Sequence, residues 1–169
     1  MQRVAQRAEA LTAALERASW VPKLLVRLFV GYFFIETGWG KLSDIGSFIE
    51  RFIGWGVSAP AFTARLSAYT ELLGGALILI GLATRLASVP LAINMLVATF
   101  AVRMKKVGSI SDFVELDEPL YALVFVWFFF AGPGRISLDY LLFRFATRGS
   151  RERPEPHAPT APPHPAGSV

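Results

Sequence analysis

The chain has 169 residues, of which 53% are hydrophobic and 18% charged, with fourteen phenylalanines and a mean hydropathy of +0.45; a soluble domain of this length needs a larger charged shell, so the composition points to one small membrane domain. The formal net charge is +4, but most basic residues flank apolar runs, which assigns them to anionic lipid and topology and not to nucleic acid. Cysteine is absent and both histidines, His157 and His164, lie in a Pro-rich tail, so this chain offers no disulfide, thiolate metal centre, iron–sulfur cluster, thiol redox couple or internal histidine ligand for haem.

Residues 1–20 lack the continuous apolar core of a signal peptide. Val4, Ala8, Leu11, Leu15 and Ala18 recur at helical spacing, with Arg3, Arg7 and Arg17 elsewhere on the wheel. That pattern suits a short amphipathic helix on a membrane surface; a frayed terminus is the alternative. A membrane domain is expected over 21–148, with four apolar segments near 22–40, 66–83, 86–103 and 119–132. A span needs about 20 residues to cross roughly 30 Å of hydrocarbon. The second and third segments are separated only by "ATR", which demands a tight antiparallel hairpin. The fourth is short, so its helix should begin upstream in the acidic "ELDE" or start below the surface in a protein-lined recess. Residues 149–169, rich in proline, cannot bury a core and are expected to be disordered.

The expected architecture is all-α: an integral membrane four-helix bundle with an amphipathic helix in its first external loop. In that loop Ile45, Phe48, Ile49, Phe52 and Ile53 share one helical face, with Ser43 or Asp44 as the cap and Gly54 or Gly56 as the stop. Its role is either a passive interfacial anchor or a lid over the bundle mouth.

Four spans put both termini on one side. That side collects Arg3, Arg7, Arg17, Lys23, Arg27, Arg85, Arg135, Arg144, Arg148, Arg151 and Arg153. The other collects Lys41, Arg51, Arg65, Arg103, Lys105 and Lys106. The imbalance predicts a multi-pass inner-membrane protein with both termini cytoplasmic.

The polar residues within the spans follow a pattern. Arg27, Gly31, Phe34, Gly38 and Lys41 form one stripe; Glu71, Gly75, Ile78, Leu82 and Arg85, with Gly74 adjacent, form another. Glycines in each stripe permit close helix approach. Alternating span direction gathers Lys41, Glu71, Arg103, Asp117 and Glu118 in the outer half. It gathers Arg27, Arg85, Arg135 and Asp139 at the inner end. An ion in hydrocarbon is costly unless it faces a partner at its own depth. Lys41 with Glu71 is the expected outer pair, and Asp139 with Arg27 or Arg85 the expected inner pair. The outer cluster is a candidate binding recess for a polar head group or a proton; the alternative is a pure register lock. Glu36 falls on the opposite face and suggests a protein contact. Asn94, near mid-membrane, is expected to bond a neighbouring helix. In "GPGRISLD" the glycines and proline break the last span, and Ser137 can cap a short returning helix. Trp127 and Phe128 to Phe130 should face lipid or pack between helices; a quinone pocket is the alternative.

The motifs "RLFVGYFFIETGWGKL", "ELLGGALILIGLATR", an acid–Pro start to the last span and "GPGRISLD" together resemble the DoxX family, from about Leu24 to Leu142. The resemblance implies a small four-span inner-membrane protein. It also implies a link to redox complexes, including a thiosulfate:quinone oxidoreductase and membrane partners of thiol and superoxide detoxifying enzymes. The family pattern carries over to Arg27, Gly38, Lys41, Glu71, Gly74, Gly75, Arg85, Glu118 and Asp139, while Glu36 stands outside it. The expectation is an accessory or quinone-linked subunit with no intrinsic cofactor and no metal, working with a protein partner or a second copy of itself. Electron transfer would then require a bound quinone or a partner's cofactor. A small-solute transporter and a non-catalytic scaffold are the competing functions.

Overall fold

A computed structural model describes residues 1–104, 107–134, 136–142 and 144, with side chains for all of these except Gln2, Val4, Ala5, Ala8 and Ala10. The Pro-rich tail with both histidines, and Arg135, lie outside the described residues. All regular structure among the described residues is helical.

Helix α1 (Gln2–Ala18) is followed directly by α2 (Trp20–Ser43). The chain leaves α2 at Asp44, whose carboxylate accepts the Ser47 N–H at 3.3 Å and starts α3 (Ile45–Gly54). Phe48 and Phe52, one turn apart, pack edge to face at 4.9 Å. Both settle on α4 (Pro60–Ile80), where Ala64 and Ala68 leave room for the rings. The loop helix is thus docked on protein.

Helix α4 begins at Pro60, ahead of the apolar segment that starts near 66, because hydropathy marks where a helix turns apolar and not where it starts. Proline is preorganised for a first turn. Gly81, at φ +71, ends α4, and the Gly81 and Leu82 N–H groups bond back to Ile78 O and Leu77 O at 3.0 and 2.9 Å. Helix α5 (Thr84–Val97) runs back along α4 and continues as a π-helical turn, Ala98–Arg103, with Thr99 Oγ1 donating to Met95 O at 2.8 Å. A short α6 (Ile110–Val114) carries a reciprocal Ser109–Asp112 capping box. Helix α7 (Asp117–Ala131) does begin inside "ELDE", and it ends at Gly132. Residues 138–142 form the short returning helix.

Helix α2 packs on α4, α4 on α5, and α5 on α7. The glycine stripes explain the first of these contacts. A Cβ at Gly38 would lie 2.5 Å from the Leu72 backbone N, and one at Gly31 would lie 2.8 Å from the Leu79 backbone. Gly75 faces back at α2, where a Cβ would stand 2.8 Å from Ile35 N. Gly74 is turned the other way, toward Leu91 of α5. Adjacent glycines therefore serve two different helix contacts. Between the helices Phe34, Ile78, Leu91, Phe125 and Phe128 form the core, with Phe34 edge-on to Phe125 at 4.9 Å.

The outer surface is apolar as well. Leu25, Phe29 and Tyr32 on α2, Leu73 on α4, Leu86 and Ile93 on α5, and Leu123 and Phe130 on α7 are all exposed. Two helical stretches, Leu11–Ser43 and Thr84–Arg103, are long and apolar enough to cross a membrane. Helix α4 has 21 residues but carries Arg65 and Glu71. Helix α7 has 15 residues, about 22 Å at roughly 1.5 Å each.

Candidate functional site

Counted from the Leu82 turn, Glu71 lies 11 residues back along α4 and Asn94 lies 12 residues forward along α5. An antiparallel hairpin sets two such positions level. Asn94 Nδ2 accordingly donates to Glu71 Oε1 at 3.0 Å. From the other side, the Lys41 ammonium donates to both Glu71 oxygens in a tight ion pair. Gly38, one turn before Lys41, brings α2 close enough for this reach. Three helices thus converge on one carboxylate.

The environment makes this pairing consequential. The Glu71 side chain is 2% exposed, while that of Lys41 is 29% exposed. A buried carboxylate without a counter-charge would cost several kcal/mol. Here the charge is neutralised and an amide supplies a further donor to Oε1. The Lys41 Nζ also stands 5.2 Å from the centre of the Phe48 ring, so α3 covers the pair with an aromatic face.

Among the described residues no hydrogen bond or ion pair joins the other members of the expected outer cluster to this centre. Arg103, at the end of the π-helical turn, donates through Nε to Glu118 Oε1 of α7 at 2.8 Å. Asp117 is exposed at the first turn of α7. The expected five-residue cluster is therefore two ion pairs plus an exposed aspartate. Glu36 is exposed on α2.

The opposite end corrects the expected Asp139 pairing with Arg27 or Arg85. Asp139 is a cap: Oδ1 accepts the Ala83 N–H at 2.8 Å and Oδ2 the Thr84 N–H at 3.3 Å. Its own N–H bonds Gly81 O at 3.1 Å. The tight turn leaves the first N–H groups of α5 without helical partners, and the nearest acid satisfies them before any cation can. Arg27, buried, donates Nη1 to Pro133 O at 2.7 Å and so ties α2 to the Gly-Pro-Gly break. Its Nε and Thr84 Oγ1 are buried with no partner among the described residues. Arg85 is exposed beside Gly132. Ser137 Oγ accepts the Tyr140 N–H at 3.1 Å and caps the 138–142 helix as expected.

Sequence reasoning missed Asn94 as the partner of Glu71, although the count from the turn held the signal. It also missed Phe48 beside Lys41 and the Pro133 carbonyl as the partner of Arg27. Among the described residues, no group of three His, Cys, Asp or Glu side chains could hold a metal ion.

The DoxX family profile matches residues 23–104. The chain is 31% identical to the Mycobacterium tuberculosis protein named "Uncharacterized membrane protein Rv3486", over 73% of this chain and 83% of that one. It is 30% identical to the Bacillus subtilis protein named "Putative oxidoreductase CatD", over 75% of this chain and 91% of that one. No solved structure matches.

Proposed function

The chain belongs to the DoxX family of membrane proteins, and from that premise we propose that it is a four-span accessory subunit of a membrane redox or detoxification system. Both termini face the cytoplasm, in line with the excess of basic residues on that side. The observation that carries the reading is the Lys41–Glu71–Asn94 centre. It holds a neutralised carboxylate inside the helices, with its cation partly open to the surface. A greasier side chain at position 71 would hold three helices together without the desolvation cost, so the carboxylate itself is what the site retains. The name of the Bacillus subtilis relative supports a redox setting.

The electron-carrying group belongs to a partner or to a quinone, because this chain has no thiol and no histidine within 1–156. A quinone head group fits the partly exposed cations of this end better than the carboxylate, since Glu71 is buried with both oxygens already bonded. Such a group, when bound, supplies two-electron chemistry with a developing negative charge. Lys41 and Arg103 would steady that charge, and Glu118 would hold the proton. Exposed Glu36 is assigned to the partner or to a second copy.

The test is deletion of the chromosomal copy followed by challenge with a superoxide generator or a thiol oxidant. Sensitivity that the wild-type chain restores supports the redox setting; an unchanged response sinks it. Mass spectrometry of the purified protein after quinone titration checks the head-group part, which fails if no quinone is retained.

A further inference from the structure

A second site lies at the opposite end of the helices. An open cleft of about 430 Å³ runs between the α4–α5 turn, the Gly132–Pro133–Gly134 break and the 138–142 helix. Arg85 and Tyr140 both line it, and both are exposed. The Arg85 guanidinium lies along Gly132, where a Cβ would stand 3.3 Å from Nε. Any larger residue at 132 would press on this cation.

The charge here is unbalanced. Asp139 also lines the cleft, but both of its oxygens are committed to the Ala83 and Thr84 N–H groups. Among the described residues the Arg85 guanidinium makes no hydrogen bond or ion pair, the backbone carbonyl alone accepting from Ser88 Oγ at 2.8 Å. Lys23 lies close by, its Cβ 4.0 Å from where a Gly134 Cβ would stand. An unpaired guanidinium with a phenol beside it is a donor set for an oxyanion, and a planar guanidinium suits two phosphate oxygens at once. Leu86, 75% exposed, lies in the same cleft wall, with Leu141 and Leu142 exposed nearby in sequence. Apolar surface next to the donor set suits an acyl chain more than water.

We propose that this cleft binds the phosphate of an anionic phospholipid headgroup, with Arg85 as the main donor, Tyr140 as the second and Leu86 against the acyl chain. The site is distinct from the Glu71 centre and does not depend on the redox reading. It requires that the protein sit in a bilayer, and it rests on the orientation proposed above, in which this end is cytoplasmic and a basic pocket between helices meets anionic lipid.

The test uses the purified full-length chain in detergent, with native mass spectrometry and thermal unfolding in the presence of phosphatidylglycerol, phosphatidylcholine or inorganic phosphate. Phosphatidylglycerol should be retained and should raise the unfolding temperature; the zwitterionic lipid should do so much less. Arg85→Gln should weaken phosphatidylglycerol binding by about tenfold, the loss of one charge-assisted pair. Tyr140→Phe should weaken it by about fivefold and serves if the arginine variant does not fold. Arg51→Gln, an exposed arginine of α3, should leave it unchanged. Equal binding by the Arg85 and Tyr140 variants and wild type would overturn the proposal. So would an equal loss in the Arg51 variant, which would mean general charge attraction. Stabilisation by inorganic phosphate alone to the same degree would refute a lipid occupant and leave a free-anion site.

Discussion

Glu71 and Lys41 differ in what each leaves behind when removed. Lys41→Met strands a carboxylate that is 2% exposed with only Asn94 beside it. Loss of one partner from a buried pair costs about 3–5 kcal/mol, and uptake of a proton by the carboxyl sets a ceiling on that cost. Glu71→Gln keeps an acceptor for Lys41 and for Asn94, and the lysine can turn toward the surface, so the expected cost is about 1 kcal/mol. The double variant should lie closer to wild type than Lys41→Met does. Unfolding in detergent measures all three, and a Lys41→Met protein as stable as Glu71→Gln would show that the pair is not buried as described. Asp139 is a second informative residue. Ala83 is held at φ +47, a conformation that costs a non-glycine residue about 1 kcal/mol or more, and the Asp139 cap stabilises that turn. Asp139→Ala should cost about 1–2 kcal/mol in the same assay. Asp139→Asn keeps an acceptor and should cost less; equal costs would point to charge rather than capping.

At the scale of elements, helix existence was legible and helix ends were less so. Apolar runs and the Gly31/Gly38 stripe marked α2 and the face it turns to α4. The apolar segment from 66 did not mark the start of α4, because Thr63, Ala64 and Arg65 dilute the apolar signal without breaking the helix. The S-x-x-D of Ser109–Asp112 spelled a capping box that a reading guided by hydropathy passed over. The Asp139 partner was misassigned because charge counting ignores the backbone N–H groups of a helix start, which compete for the same carboxylate. The division of Gly74 and Gly75 between two helices could not be read from spacing alone, since both fit one stripe. Each of the two short loop helices has an aspartate with a lowered pKa in its N-terminal cap, Asp44 as the N-cap of α3 and Asp112 as the capping-box acid in the first turn of α6. Hydrogen bonds from Ser47, side chain first and backbone second, hold Asp44 down; the Gly108 N–H and then the Ser109 hydroxyl hold Asp112 down. Each cap therefore contributes fully above the unfolded value of about 3.9 and is lost as pH falls through the lower folded value. Protection of the Ser47 and Ser109 amides, taken as exchange relative to the intrinsic rate at each pH, should fall in that acid range and stay constant from neutral pH down to about 5. Protection that is already lost near neutral pH would contradict this assignment.

For the whole molecule, two ends with different chemistry share one set of helices. The Glu71 end buries a neutralised charge beneath α3, and the Arg85 end is tied together by capping and by a carbonyl bond to Arg27. The absence of native cysteine makes the proposed topology directly readable. A single cysteine at Ser58 should react with an impermeant maleimide in intact cells, and one at Ser19 only after permeabilisation; the reverse pattern would invert the orientation. The central claim is that the buried carboxylate does more than fix register. The most direct measurement is oxidant survival of a deletion strain carrying Glu71→Gln at wild-type abundance. The account predicts survival no better than that of the deletion strain. Survival equal to wild type would contradict it and reduce the Lys41–Glu71–Asn94 centre to a structural lock.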